Sequence, residues 1–132
     1  MRFVDSNVFL YTLIGSPKRD FEISKGILKR VEGGEETLTS LSVLQEVVDW
    51  LEYNGRKKEV GVFLSAVNSY VKMRKVANRW TDFPKASAEA QRDAIDFVDA
   101  LTVRIMRREG ITEVYSNDKD FERISGIRRI FE

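Results

Sequence analysis

Apolar side chains recur along this chain in two rhythms, short uninterrupted runs and longer stretches at helical spacing, and the two alternate. Phe3-Val4 is a run of the first kind, ending in Asp5, and Asn7 to Ile14 follows as a short helix halted by Gly15 and Pro17. Phe21, Ile23, Ile27, Leu28 and Val31 mark a helix over residues 20 to 31, closed by Gly33-Gly34, and Thr37-Leu38-Thr39 is the next strand-like run. Residues 41 to 53 form another strong helix that Asn54-Gly55 breaks, and Val60, Phe63, Leu64, Val67 and Val71 predict one more over residues 57 to 73. The rhythm fades between Lys75 and Ala94, where the pattern gives a short strand at 74 to 77, a loop through Pro84 and a helix over 85 to 92. It returns with a helix over 95 to 109 ending at Gly110, a strand over 112 to 116, a short helix over 118 to 124 and a final strand over 128 to 131. Strands separated by helical segments require crossover connections, so the expected class is α/β, a three-layer α/β/α fold around a central parallel sheet of about four to five strands. No repeat, low-complexity tract or linker divides the chain, and 132 residues fit a single domain, 1–132.

Composition narrows the chemistry. Hydrophobic residues at 42% and charged residues at 33% are the balance of a folded globular protein. The chain has no cysteine and no histidine. Disulfides, zinc-thiolate sites, thiol nucleophiles, Ser-His and Cys-His pairs and imidazole bases are therefore excluded together, and hydrolytic chemistry falls to carboxylates, hydroxyls, lysines or a metal. The formal charge of +1 gives no compositional argument for nucleic-acid binding, so any such reading must come from a site. The opening Met-Arg-Phe-Val-Asp has no basic segment followed by a long apolar run, and a soluble cytoplasmic protein without a membrane span is expected.

Three acids fall where open parallel sheets build their sites, at the carboxyl ends of strands. Asp5 ends the first predicted strand, Asp118 follows Ser116 by two residues, and Asp99 lies in the first turn of the helix before that strand. Asp5 also suits a helix N-cap. Asp99 is harder to explain structurally, because Phe97, Val98, Ala100, Leu101, Val103, Ile105 and Met106 surround its helix on almost every side. A buried carboxylate must be protonated, paired or bound to metal. Asp96 fits capping and the helix dipole better than metal binding. On the helix 41 to 53, Leu44, Val47, Val48 and Leu51 define the core stripe, and Glu46 points elsewhere, flanked by Val43, Trp50 and Tyr53. Position alone leaves Glu46 open between a solvated surface acid and a site residue, while Asp49 and Glu52 read as ordinary solvent-facing acids.

Four motifs in order, Phe3-Val4-Asp5-Ser6-Asn7, Thr39-Ser40 leading to Glu46, Asp96-Phe97-Val98-Asp99-Ala100-Leu101-Thr102, and Tyr115-Ser116-Asn117-Asp118-Lys119-Asp120-Phe121, make the chain resemble the PIN-domain family over nearly its whole length. The nearest branch in appearance is the VapC-type toxins of prokaryotic toxin–antitoxin pairs. That resemblance implies a Mg²⁺- or Mn²⁺-dependent endoribonuclease with Asp5, Glu46, Asp99 and Asp118 as the acidic, metal-holding set. Asn7, Ser116, Asp120 and Asp96 would support them. It further implies an RNA substrate, an antitoxin protein docking near Phe9, Leu10 and Leu13, and a homodimer for which Trp50 and Tyr53 are candidate contacts. Converging carboxylates agree with it, since hard oxygen donors are what Mg²⁺ and Mn²⁺ prefer. The absence of histidine favours a metal-activated water as nucleophile, leaving 5′-phosphate and 3′-hydroxyl ends. Two alternatives stand beside this: a non-catalytic binding module of the same fold, and a haloacid-dehalogenase-like phosphatase, which would need a second Asp where Asn7 stands.

Overall fold

In the computed structural model, which describes residues 1–132, strands and helices alternate as the apolar rhythm requires. Strand β1 (Arg2–Val4) leads into helices α1 (Ser6–Ile14) and α2 (Lys18–Glu32), and β2 (Thr37–Ser40) into α3 (Leu41–Tyr53), a 3₁₀ turn at Lys57–Glu59 and α4 (Val60–Ser69). Strand β3 (Met73–Val76) precedes α5 (Asp82–Asp93) and α6 (Phe97–Glu109), and β4 (Glu113–Tyr115) is joined to β5 (Arg128–Ile130) by a 3₁₀ helix at Lys119–Arg123. All neighbouring strands pair in parallel, in the order β3-β2-β1-β4-β5. The six helices flank this sheet, giving the three-layer α/β/α fold class, with the full five strands.

β1 is central, with Phe3 opposite Leu38 of β2 on one side and Val114 of β4 on the other. The chain builds outward from β1 through β2 to β3, then crosses back to add β4 and β5 on the opposite side. That reversal makes the boundary of β1 and β4 the topological switch point, where a crevice opens at the carboxyl ends of the strands. Because the strands are parallel, Asp5 after β1, Ser40 at the end of β2 and Ser116 after β4 all lie on this one edge. Covered on both faces, the central strands are dry: Phe3, Val4, Leu38, Val114 and Tyr115 are all 0% exposed. The site therefore stands at the end of the most deeply buried strands.

Four boundaries differ from expectation, each for a physical reason. The helix expected over 57 to 73 ends at Ser69, and Met73 instead supplies the buried residue of β3. Leu64 and Val71, which fall in the helical apolar pattern, are 44% and 85% exposed. The loop expected through Pro84 is the first turn of α5, where the N–H that proline lacks has no intrahelical partner to lose. The helix expected from residue 95 begins at Phe97, because Asp96 adopts the extended backbone of an N-cap. The short helix expected at 118 to 124 is the tighter 3₁₀ form.

These boundaries predict contrasting stability effects. Leu51→Ala, at a position 0% exposed, should lower unfolding free energy by about 2–5 kcal/mol. Val71→Ala, beyond the end of α4, should change it by less than about 0.5 kcal/mol. Urea titration of both variants checks the pair.

Candidate functional site

The centre is built from four polar chain segments meeting at the switch point. Asp5 leaves β1 buried, 3% exposed, with both carboxylate oxygens committed to the fold. Its Oδ1 accepts from the Ser6 amide at 2.8 Å, capping α1. Its Oδ2 accepts from the Ser116 hydroxyl at 2.7 Å and from the Asn7 side-chain amide at 3.2 Å. Asn7 also donates to Ser116 Oγ at 3.0 Å and accepts the Asn117 amide at 3.1 Å, so it ties the end of β1 to the turn after β4. Ser116 Oγ in turn accepts the Asp118 amide at 3.0 Å. One hydroxyl thus positions two of the acids.

Asp118 caps the 3₁₀ helix by accepting the Asp120 amide at 2.9 Å, a side-chain turn that brings residues 118 and 120 round to the same side. Asp99, 8% exposed, reaches them from the first turn of α6. Carboxylate oxygens of Asp99, Asp118 and Asp120 all lie within 4.8 Å of one another. Glu46 comes from α3, whose N-terminus Ser40 caps by accepting the Val43 amide at 3.1 Å. It is half-buried and walls a cleft of about 320 Å³ with Phe83, Phe97, Val98 and Leu101.

Like charges in a dry setting perturb one another strongly. Burial pushes the Asp5 carboxyl up to about 6, against the hydrogen bonds from Ser116 and the Ser6 amide, and the charges of Glu46 and Asp118 add to the rise. Burial, then the charges of Asp5 and Asp118, then a hydrogen bond shared with Asp118, push Asp99 up to about 9, with Asp96 contributing. Without a cation Asp99 is therefore protonated at neutral pH. The donors are all carboxylate oxygens, with no nitrogen or sulfur among them, the chemistry that a hard divalent cation prefers. Such a cation resolves the repulsion, and the residues present fit it.

Each sequence-predicted residue can now be placed. Asp99 and Asp118 come together, while Asp5 and Glu46 lie outside that group, Asp5 coupled by charge to Asp99 and Asp118 and Glu46 coupled by charge to Asp5, and Asn7 and Ser116 hold the frame. Asp120, expected only as a support, belongs to the tightest group of three, although it also pairs with Arg123 at 2.8 Å. The signal for it was the Asn117-Asp118-Lys119-Asp120 run, whose side-chain turn helical periodicity cannot register. Asp96 holds the N-cap position of α6 but makes no capping hydrogen bond, and its side chain is exposed. It acts on the centre through its charge on Asp99 alone.

Comparison with known proteins bears on the family and the fold. The PIN domain family model matches residues 2–127. Ribonuclease VapC13 of Mycobacterium tuberculosis is 25% identical over 136 aligned positions, covering 98% of this chain and 99% of that protein. Among solved structures, VapC20 of Mycobacterium tuberculosis, described as a sarcin-ricin loop cleaving toxin, superposes with a TM-score of 0.76 at 21% identity, covering 92% of this chain and 93% of its own. VapBC2 from Rickettsia felis, solved with a DNA fragment from its promoter, gives 0.71 at 15% identity, covering 98% of this chain and 96% of that one.

The raised carboxyls make stability depend on pH in a defined direction. Between the unfolded value, roughly 4, and about 9, the folded protein retains a proton on Asp99 that the unfolded chain has lost. Stability without metal therefore falls as pH rises through that window, with Asp5 adding to the slope up to about 6. Asp99→Asn removes the main contribution, so in chelator the variant should melt several degrees above the parent near pH 8, the gap closing near pH 4. Parallel melting curves across the range would contradict this.

Proposed function

Because this chain belongs to the PIN domain family, we propose that it is a divalent-metal-dependent endoribonuclease, the toxin of a type II toxin–antitoxin pair. The observation that carries the reading is the convergence of Asp99, Asp118 and Asp120 at the sheet's switch point, coupled by charge to Asp5 and through it to Glu46. Asp5, Glu46, Asp99 and Asp118 form the catalytic, metal-holding set, with Asp120 beside them and Asn7 and Ser116 positioning Asp5. The cation is Mg²⁺ or Mn²⁺, which supplies an activated water and neutralises charge on the phosphoryl oxygens.

The chain's own residues do the rest. Asp5, hydrogen-bonded on both oxygens, is fixed in place and cannot swing toward solvent. Asp99 gives up its proton when the site is filled, and its burial keeps bulk water from screening the charges. Glu46 sits where the open cleft meets the acids, and RNA enters from that side. Asp5 and Asp99 titrate above the ordinary carboxylate range, at about 6 and about 9, only because of burial and mutual repulsion, which a bound cation would offset. They are therefore poor general bases for a 2′-hydroxyl, and hydrolysis by water, which forms the new P–O bond as the bond to the 3′-oxygen breaks and that oxygen takes a proton, leaves 5′-phosphate and 3′-hydroxyl ends. The haloacid-dehalogenase-like alternative is excluded by the family, and Asn7, in the position where that chemistry needs an acid, spends its amide on Asp5, Ser116 and Asn117. A non-catalytic binding module remains the reading that the cleavage assay below tests.

The relatives' names support an antitoxin partner. Its docking place is the apolar cleft that Phe9 and Leu13 form with Leu28, Phe63, Val67 and Tyr70, while Leu10 packs against the core instead. In the homodimer the contact residues are Tyr53, 91% exposed, and the half-buried Trp50. No helix is long and apolar enough to cross a membrane, and the cytoplasm, where RNA and antitoxin meet, is the site of action.

Incubation of the purified protein with end-labelled RNA tests the reading. Cleavage should require Mn²⁺ or Mg²⁺ and stop in EDTA. Asp5→Asn and Asp99→Asn should lower the rate by about 100-fold or more, and Ser116→Ala by roughly 10–100-fold through the loss of its hold on Asp5. Persistence of cleavage in chelator, or 2′,3′-cyclic phosphate products, contradicts the mechanism.

A further inference from the structure

Beside the acidic centre, the segment from Ala77 to Lys85 carries features the centre does not use. Trp80 is 77% exposed, yet the backbone that carries it is held on both sides. Asn78 donates to the Leu101 carbonyl at 3.2 Å, Asp82 accepts the Arg79 amide at 2.8 Å, and Arg108 donates to the Ala77 carbonyl at 3.2 Å. Trp80 stacks on Phe83 with ring centroids 5.9 Å apart, and Phe83 meets Phe97 edge-on at 5.4 Å. Phe83 and Phe97 line the same cleft as Glu46. An aromatic ladder therefore leads from the wall of the acidic centre to an exposed indole.

Phe83's neighbour in α5, Asp82, faces a second cleft of about 430 Å³, the largest on the molecule. It is lined by Arg79, Thr81, Lys85, Arg104, Arg107 and Arg108 with Asp82 the sole acid. Asp82 fixes Arg104 at 2.9 Å and Arg108 at 3.5 Å, and Glu89 holds Arg104 from outside at 2.7 Å. Five cations with two acids to hold them, on a chain whose formal charge is only +1, concentrate positive potential at this one place. Arg79 and Lys85 are exposed and carry no ion pair.

Building on the nuclease reading, we propose that residues 79–85 and the facing side of α6 form the strand-holding element: single-stranded RNA passes from the carboxylates over Phe97 and Phe83, stacks a base on Trp80, and seats its backbone phosphates among Arg79, Lys85, Arg104, Arg107 and Arg108. A flat aromatic beside a cationic groove is the pairing that holds unpaired nucleic acid, since the ring needs an unstacked base and the groove needs phosphate. A second copy of the chain fits less well, because a symmetric contact here would bring two cationic clefts together.

Binding of a fluorescein-labelled single-stranded oligoribonucleotide, measured by anisotropy in EDTA so that nothing is cleaved, tests this without relying on activity. Trp80→Ala should weaken binding by roughly 5- to 100-fold, with the salt dependence unchanged and Trp80→Phe retaining most of the affinity. Arg79→Ala and Lys85→Ala should each weaken binding and reduce the salt slope by about 0.7. RNA should quench tryptophan fluorescence in the parent and not in Trp80→Phe, where only Trp50 remains. Parental affinity in Trp80→Ala, or quenching that survives in Trp80→Phe, overturns the proposal, as does a Trp80→Ala variant that loses self-association in sedimentation while binding RNA normally. Trp80-dependent binding without metal-dependent cleavage would sink the nuclease reading and leave this one standing. Cleavage with binding indifferent to Trp80 would do the reverse.

Discussion

Carboxylates gathered on a dry sheet edge repel one another, and a protein that keeps them there must both hold them in place and offer a way to relieve the repulsion. Here the holding is done by neutral groups. Ser116 and Asn7 donate to Asp5, the Ser6 amide caps it, and Ser116 accepts from the Asp118 backbone. These bonds favour the charged form of Asp5 without neutralising it, while Asp99, whose hydrogen bond is shared with the Asp118 carboxyl, takes up a proton instead. Arg123 pairs with Asp120 at the edge of the group, but no arginine or lysine pairs with Asp5, Asp99 or Asp118, so the relief open to them is an external cation.

Topology determines where this can happen. The parallel order β3-β2-β1-β4-β5 puts the ends of β1, β2 and β4 on one edge, and the crossing from β3 back to β4 passes through α5 and α6. The same crossing that delivers Asp99 to the centre therefore brings Phe97, Arg104 and Arg108 along the one helix, against Phe83 and Asp82 of the other. Acidic and basic surfaces end up on neighbouring parts of one helix pair, the arrangement a phosphodiester-cleaving centre needs: cation at the bond to be broken, cationic side chains along the strand that leads to it.

Much of this was legible in the residues, and the exceptions are informative. The buried run around Asp99 marks it as a carboxylate with something to neutralise it, and Asp5 at the end of an apolar run caps a helix while feeling the charges of Glu46 and Asp118, so the capping role leaves room for a site role. The closeness of Asp120 to Asp99 and Asp118 was hard to read because an Asx-type turn brings residues two apart together, a geometry that neither the helical nor the strand period describes. Helix α5 was hard to see because its buried face is modest, Ala86 fully buried with Phe83 and Ala90 only partly so, and Pro84 in its first turn mimics a loop. The basic cleft was invisible for a different reason: its cations come from residues 79–85 and 104–108, and they meet only when α5 packs on α6. Helix α4 reads four residues too long because Val71 continues its apolar period by coincidence while lying 85% exposed, and β3, expected over 74 to 77, starts at Met73.

The account stands or falls on whether the acidic cluster is a cation site whose occupancy discharges Asp99. Calorimetric titration of Mn²⁺ into the protein near pH 7.5, repeated in buffers of different ionisation enthalpy, measures that directly by counting protons released. About one proton per bound cation is predicted, because Asp99 is protonated beforehand, and the release should disappear in Asp99→Asn. Binding that releases no proton, or affinity and proton count unchanged in Asp99→Asn, would contradict it.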